Sequence, residues 1–301
     1  MILALDIGGT KIAAALLDGG RIVLRRQVAM PRDAERFGRA LDKLVAGWPA
    51  PEQVAVATTG FVRDGRIHAV NLDIISFWNG FALHDELVSR FACPIVMLND
   101  AQAAAWAEYR ACGSAPRGLL YLTLSTGVGG GLVIDDRLQV GAGGLAGHIG
   151  HATVSTQPLD GRVACGCGRS GCLETIASGT AIARQASALF GEPLDSRAVF
   201  ERAPHDSRAA RILANAAAAV AEAIANSVML LDVQQVVTGG SVGLAAAMVE
   251  RIHAALAAGP PLTRVQVERA RLGADSGLIG AAQWAAHVER CSETPAAINS
   301  A

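Results

Sequence analysis

The same succession of short segments occurs twice in this chain, and that duplication restricts its fold more than any other feature. Residues 2–7, "ILALDI", form an apolar run, "GGTK" is a turn of small residues, "IAAALLD" is a second run, and "DGG" turns tightly into "RIVLRRQV". From residue 119 the order returns as "LLYLTLS", the glycine-rich turn "TGVGGG", "LVI", the turn "DDR" and "LQV". Apolar runs punctuated by glycine and aspartate turns predict meanders of strands. A repeated unit of this kind predicts two similar lobes.

Helical patterns lie between and after the meanders, at "AERFGRALDKLVAGW" from 34, "DELVSRFA" from 85, "AQAAAWAEYRA" from 101, and in alanine-rich stretches around 176–190 and 207–231. Further short strands are expected at "QVAVATTG" from 53, "PIVMLND" from 94 and "VQQVVTGG" from 233. The class is therefore α/β. No low-complexity linker divides the chain, and the lobe boundary is placed near residue 101 because the second meander starts soon after it.

A chain of 301 residues has room for a substantial core without staples. Its 26 basic and 27 acidic side chains leave no field to draw it to nucleic acid or to an anionic membrane, which favours a small soluble substrate. The opening "MILALDIGGTK" carries no basic leader and too short an apolar run for a signal peptide, so a cytoplasmic location is expected. The apolar segment "AAAAVAEAIANSVMLLDV" is interrupted by Glu222 and Asn226, short of the roughly 20 clean residues of a membrane span, and reads as a buried helix. In a reducing compartment Cys93, Cys112 and Cys291 are expected to be free thiols.

Several stretches carry chemistry. In "DIGGTK", Gly8 and Gly9 allow close backbone approach, and Thr10 and Lys11 add a hydroxyl and a cation suited to phosphate. A plain hairpin turn explains the same string. "STGVGGG" repeats that chemistry with Ser125, Thr126, Gly127, Gly129 and Gly130. Asp6 and Asp100 both end apolar runs; a strand-end aspartate and a helix N-cap are their plainest roles, and a strand-end turn is that of Asn99. Gly239, Gly240 and Ser241 form a strand-to-helix connection. The densest feature is "ACGCGRSGCLE". Cys165, Cys167 and Cys172, with His151 upstream, have the composition of a closed tetrahedral Cys3His zinc site, against which stand a redox pair or three buried thiols.

Taken together and in order, "DIGGTK", "NDAQAAAWAE", "STGVGGG", "GLAGHIGH", "CGCGRSGCLETIASG" and "VVTGGSVG" resemble the ROK family of bacterial repressors, open-reading-frame proteins and sugar kinases across nearly the whole chain. The resemblance implies a two-lobed actin-like ATPase (ribonuclease H-like) fold with duplicated βββαβα units and an interdomain cleft. It implies an N-terminal lobe of residues 1–101 completed by a C-terminal helix near 278–290, and a C-terminal lobe of residues 102–277. It also implies ATP and Mg2+ as cofactors and a structural Zn2+ on His151, Cys165, Cys167 and Cys172.

By the same resemblance Asp100 is the general base that deprotonates a sugar's 6-hydroxyl. Gly60, Asn99, His148, His151 and Glu174 line the sugar, and Asp6 places Mg2+ through water. Thr10, Lys11 and Thr126 sit near the phosphates, and Gly239 and Gly240 on the nucleotide side. The sugar is N-acetylmannosamine, because "GHIGH" with His148 resembles the bacterial kinases for it, whereas glucose-phosphorylating relatives usually read "GEIGH". A glucokinase or an N-acetylglucosamine kinase of the same family is the nearest rival. A sugar-sensing regulator is a rival of another class, and the phosphate loop at residue 6 leaves no room ahead of it for a helix-turn-helix. Relatives are commonly dimers or larger, so a homo-oligomer is expected.

Overall fold

The first meander folds as its apolar runs and tight turns require. β1 (Ile2–Ile7), β2 (Lys11–Asp18) and β3 (Arg21–Ala29) run antiparallel, with Ile7 opposite Ile12. The computed structural model describes residues 1–70, 75–113 and 116–293. After β3, α1 (Ala34–Val45) starts where the Asp33 carboxylate accepts the Arg36 N–H at 2.8 Å. β4 (Gln53–Thr58) then pairs parallel to β1, and β5 (Phe61–Arg63) and β6 (Arg66–His68) form a small hairpin. α2 (Leu83–Val88) leads to β7 (Ile95–Asn99), parallel to β4, and α3 (Asp100–Ala111) follows without a break. The sheet order is β3-β2-β1-β4-β7.

The second sheet repeats this plan. β8 (Gly118–Leu124), β9 (Val128–Ile134) and the two-residue β10 (Arg137–Leu138) make the meander. α4 (Glu174–Ala177), α5 (Gly179–Phe190), α6 (Ser196–Arg202) and α7 (Ser207–Leu231) precede β11 (Gln235–Gly239). α8 (Gly240–Gly243), α9 (Ala246–Ala258) and β12 (Gln266–Arg269) complete it in the order β10-β9-β8-β11-β12, with β8, β11 and β12 parallel. Two mixed five-stranded sheets of identical order are the ribonuclease H-like arrangement of actin-like ATPases. Last, α10 (Ser276–Glu293) returns to the first sheet.

The chain divides into two compact units, Met1–Ala107 with the segment from Asp275, and Glu108–Ala274, so the division falls within α3. In the first unit β1 is buried on both faces. Leu3, Leu5 and Ile7 pack with Phe37, Leu41 and Leu44 of α1, while Ala4, Ala13 and Ala15 meet Leu278 and Ala282 of α10. Large residues on one face and alanines on the other let α10 lie close to the strands. In the second unit α7 is the central helix, with Ala216, Ala217, Val220 and Ile224 buried. Among the described residues it is the one helix long and apolar enough to cross a membrane, and its apolar face is occupied by this core.

The expected strands and helices form, with local differences that have physical causes. The helical stretch around 176–190 is broken at Ser178, whose hydroxyl caps α5 by accepting the Ala181 N–H at 3.0 Å. The strand expected over "LQV" shrinks to Arg137–Leu138, and the helix expected from 85 ends at Val88. No strong sequence pattern marks β5, β6, α6, α9 or β12. Their segments are short or charged, or, in α9, alanine-rich without a strong apolar stripe. Cys93 and Cys112 are free and half-buried, and the Cys291 side chain lies outside the described residues.

Candidate active site and metal centre

The parallel strands of the first unit deliver their C-terminal ends side by side. The register sets Ile7 opposite Thr58, and Thr58 opposite Asn99. Asp6, Gly60, Asn99 and Asp100 therefore gather on one edge of the sheet, where open α/β sheets bind ligands. Asn99 is buried and its amide is fully engaged. Its Oδ1 accepts the N–H groups of Ala101 (3.0 Å) and Gln102 (3.2 Å), and its Nδ2 donates to Gly60 O (2.8 Å) and Asp100 Oδ1 (3.0 Å). The first turn of α3 is thus capped by Asn99. Asp100 also takes the Ala101 N–H on Oδ1 at 2.8 Å, and its own backbone N–H gives the carboxylate further support. Burial, and after it the charge of Asp6, raises the Asp100 pKa to about 7.

Asp6 is raised to about 6, chiefly by burial, with Lys11 and Arg25 pulling it down and Asp275 pushing it up. The negative charge of Asp6 hinders the ionisation of Asp100, and a divalent cation beside Asp6 would relieve that repulsion. No local pattern in the sequence marks Asp275 or Gly277. A Cβ on Gly277 would stand 3.1 Å from Asp6 Oδ2, so this glycine makes room for the carboxylate at the start of α10. Gly8 and Gly9 do not adopt positive φ, so the β1–β2 turn does not need them for its backbone. Gly60 does, at φ 83°, and a Cβ there would meet His68 O at 2.8 Å. Trp78 fixes the residue before it, its indole N–H donating to Thr59 O at 3.1 Å.

In the second unit the two glycine-rich turns come together, with Ser125 and Ser241 hydroxyls 3.5 Å apart. Gly239 clears the ring of Tyr121, and Gly240, at φ 78°, clears Leu124 O. Beside this turn a cavity of about 530 Å3 is lined by Leu244, Val249, Val267, Glu268, Arg269 and Ala270. Gly130 has a packing reason, since a Cβ would meet Gly147 O at 2.6 Å where the "GHIGH" segment lies against β9. The Val128 N–H donates to Glu174 Oε2 at 2.9 Å. Burial, and then the charge of His151, lowers the His148 pKa, which keeps that ring neutral.

His151, Cys165, Cys167 and Cys172 bring one ligand atom each within 4.8 Å of one another. Cys165 Sγ lies 3.4 Å from His151 Nδ1, and Cys167 Sγ lies 3.6 Å from Cys172 Sγ. Tetrahedral zinc, with ligands at about 2.1–2.3 Å, separates neighbouring ligand atoms by about 3.4–3.8 Å, so the four residues fit that ion. Burial, and then the hydrogen bonds that the Cys172 thiol donates to the neighbouring sulfurs, push Cys172 up to about 12, so three thiolates cannot share this space without a cation. Gly168 and Gly171, at φ 83° and 77°, let the loop turn back on itself. Glu222, another residue without a local signal, anchors the segment between His151 and Cys165 by accepting Thr156 N (3.1 Å) and Thr156 Oγ1 (2.9 Å) as well as Ser155 N (2.5 Å).

A Yersinia pseudotuberculosis protein named N-acetylmannosamine kinase is 45% identical over 289 residues, 94% of this chain and 97% of its own. The ROK hexokinase of Thermus thermophilus superposes with a TM-score of 0.80 at 35% identity, covering 96% of this chain and 99% of that one. A ROK glucokinase from Streptomyces griseus, solved with glucose and AMPPNP, gives 0.77 at 32% identity and covers 94% and 98%. The model of the ROK family matches residues 2–288, and the chain belongs to that family.

Proposed function

We propose that this chain is an ATP-dependent kinase that phosphorylates the 6-hydroxyl of N-acetylmannosamine. The observation that carries the reading is 45% identity over 94% of the chain to a kinase for that sugar, and the candidate base supports it. Asp100 Oδ2 takes the proton of the 6-hydroxyl as that oxygen bonds to the γ-phosphorus of ATP. The bond from phosphorus to the bridging oxygen breaks, and ADP leaves with the electron pair. A pKa of about 7 suits this transfer near neutral pH. Asn99 holds Asp100 Oδ1 and the Gly60 carbonyl, and with its amide spent in this way it serves the sugar by positioning both.

On the nucleotide side, Gly8, Gly9, Thr10, Lys11, Thr126, Gly127 and Gly129 offer amides, hydroxyls and a cation to the phosphates. Gly239 and Gly240 bring the chain to the cavity, whose Leu244 and Val249 walls suit a base. Mg2+, held through water near Asp6, supplies neutralising charge to the phosphates. His151, Cys165, Cys167 and Cys172 hold a structural zinc. His151 binds it through Nδ1, which leaves Nε2 for the sugar, and Glu174 keeps Oε1 for a sugar hydroxyl. The enzyme is soluble and cytoplasmic and works as a homodimer or higher oligomer; Met229, Leu230 and Leu262 give it exposed apolar surface for that contact.

The test is a coupled assay of ADP release with N-acetylmannosamine, N-acetylglucosamine and glucose. The highest kcat/KM is expected for N-acetylmannosamine. Equal or better use of glucose would replace this reading with a glucokinase, and sugar binding without turnover would replace it with a sensor.

A further inference from the structure

We propose that Glu174 sets the conformation of the nucleotide loop at residues 125–128 as well as meeting the sugar, and so couples the binding of one substrate to the other. The inference rests on the kinase reading for the roles of the two substrates. Glu174 opens α4 directly after the last cysteine of the metal loop, with the Thr175 hydroxyl donating to Cys172 O at 2.7 Å. One carboxylate oxygen, Oε2, takes the Val128 N–H at 2.9 Å, while Oε1 takes no hydrogen bond among the described residues. The carboxylate therefore has one oxygen committed to the nucleotide loop and one open.

Gly127 supports the same conclusion from the other side of the contact. Its φ is not positive, so its backbone tolerates any residue. A Cβ there would stand 2.6 Å from Glu174 Oε2, and among the described residues beyond its chain neighbours no other comes within 4 Å of it. The glycine is thus required by the carboxylate rather than by the turn. The rest of the loop is fastened to the start of the next helix, with Gly179 N donating to Ser125 O at 2.6 Å and the Thr180 hydroxyl to Thr126 O at 2.8 Å. Val128 is the point at which a sugar ligand, rather than a helix backbone, holds the loop. A shift of the Glu174 carboxylate on binding sugar moves the amide that it accepts, and a shift of the loop on binding phosphate moves the carboxylate. By linkage the effect is equal in both directions.

The experiment is calorimetric titration with Mg2+ and a non-hydrolysable ATP analogue in the absence of sugar. Glu174→Ala is expected to weaken analogue binding by about tenfold or more. Glu174→Gln, whose amide oxygen still accepts from Val128 N, is expected to stay within about threefold of wild type. A residue that served the sugar alone would leave all three affinities equal. The reciprocal variant, Gly127→Ala, is expected to weaken N-acetylmannosamine binding by about tenfold with no nucleotide present, because its methyl displaces the carboxylate. Wild-type analogue affinity in Glu174→Ala, or wild-type sugar affinity in Gly127→Ala, overturns the coupling alone. A wild-type protein that binds neither the analogue nor the sugar overturns the kinase reading and this inference with it.

Discussion

Asn99 Nδ2 donates to Asp100 Oδ1 at 3.0 Å, and the same Asn99 caps the helix that Asp100 begins. An aspartate at the first position of a helix is ordinarily occupied as a cap. Here the preceding asparagine takes most of that task, and one oxygen of Asp100 shares the Ala101 amide with it. Oδ2 is left in dense surroundings that favour the neutral carboxyl, next in charge to Asp6. The result is a carboxylate oriented through one oxygen and basic through the other.

Asp100→Asn should keep the fold and sugar affinity while kcat falls by about 10^2–10^4, because a carboxamide accepts no proton. Steady-state kinetics together with equilibrium sugar titration separate the two effects. Turnover near the wild-type rate would remove Asp100 from the chemistry.

The pH dependence has opposite signs for activity and for stability. A base must be ionised, so kcat/KM should rise with pH to a plateau above about 7, the value to which Asp100 is raised. A carboxyl whose folded pKa exceeds its ordinary value stabilises the fold when protonated, and that contribution is lost as pH climbs through about 7. Asp100→Asn should therefore melt above wild type at about pH 8, with the difference shrinking toward about pH 5. A melting difference that widens on acidification would contradict the assigned burial cost.

Much of this was legible in the sequence because the signals are local. Asp6 with Gly8 and Gly9, and the three cysteines with Glu174, each lie within a few residues of one another, and the duplicated meander predicts two similar lobes. The partners that tune these groups were not legible, because they arrive from distant segments. Asp275 and Gly277 reach Asp6 only when α10 packs on β1, and Glu222 reaches Ser155 only across the core of the second unit. Glu108 is a third example. Buried and mid-helix, it accepts the N–H groups of Arg271 and Leu272 at 2.9 Å each, which no local pattern announces. The family resemblance implies that Gly60 lets the backbone approach the sugar, and its conformation and the His68 carbonyl already demand a glycine.

Freshly purified protein should carry about one zinc per chain, and Cys167→Ser should lower both metal content and melting temperature. Glu222→Ala should leave the four ligands in place but speed zinc loss to a chelator by about tenfold, since the Ser155 and Thr156 amides lose their acceptor. Elemental analysis and chelator kinetics measure these directly. Metal-free protein purified without chelators would remove the zinc site.

The last prediction concerns sugar choice. Glucose-phosphorylating relatives usually have glutamate at the position of His148, and a carboxylate there accepts hydrogen bonds from ring hydroxyls. In this chain the residue is an imidazole held neutral, chiefly by burial, with a single donor or acceptor at each nitrogen. Losing a charge-assisted bond should cost a sugar that depends on it about 1.5–3 kcal/mol, or about 10–150-fold in kcat/KM. N-acetylmannosamine carries an axial acetamido group at C2 and needs space more than a second carboxylate. His148 leads directly into the helical turn Ile149–His151, whose last residue is a metal ligand. His148→Glu should accordingly raise kcat/KM for glucose relative to N-acetylmannosamine by about tenfold or more, with zinc content unchanged. Unchanged sugar ratios in this variant, with wild-type zinc content, would assign the preference to other residues.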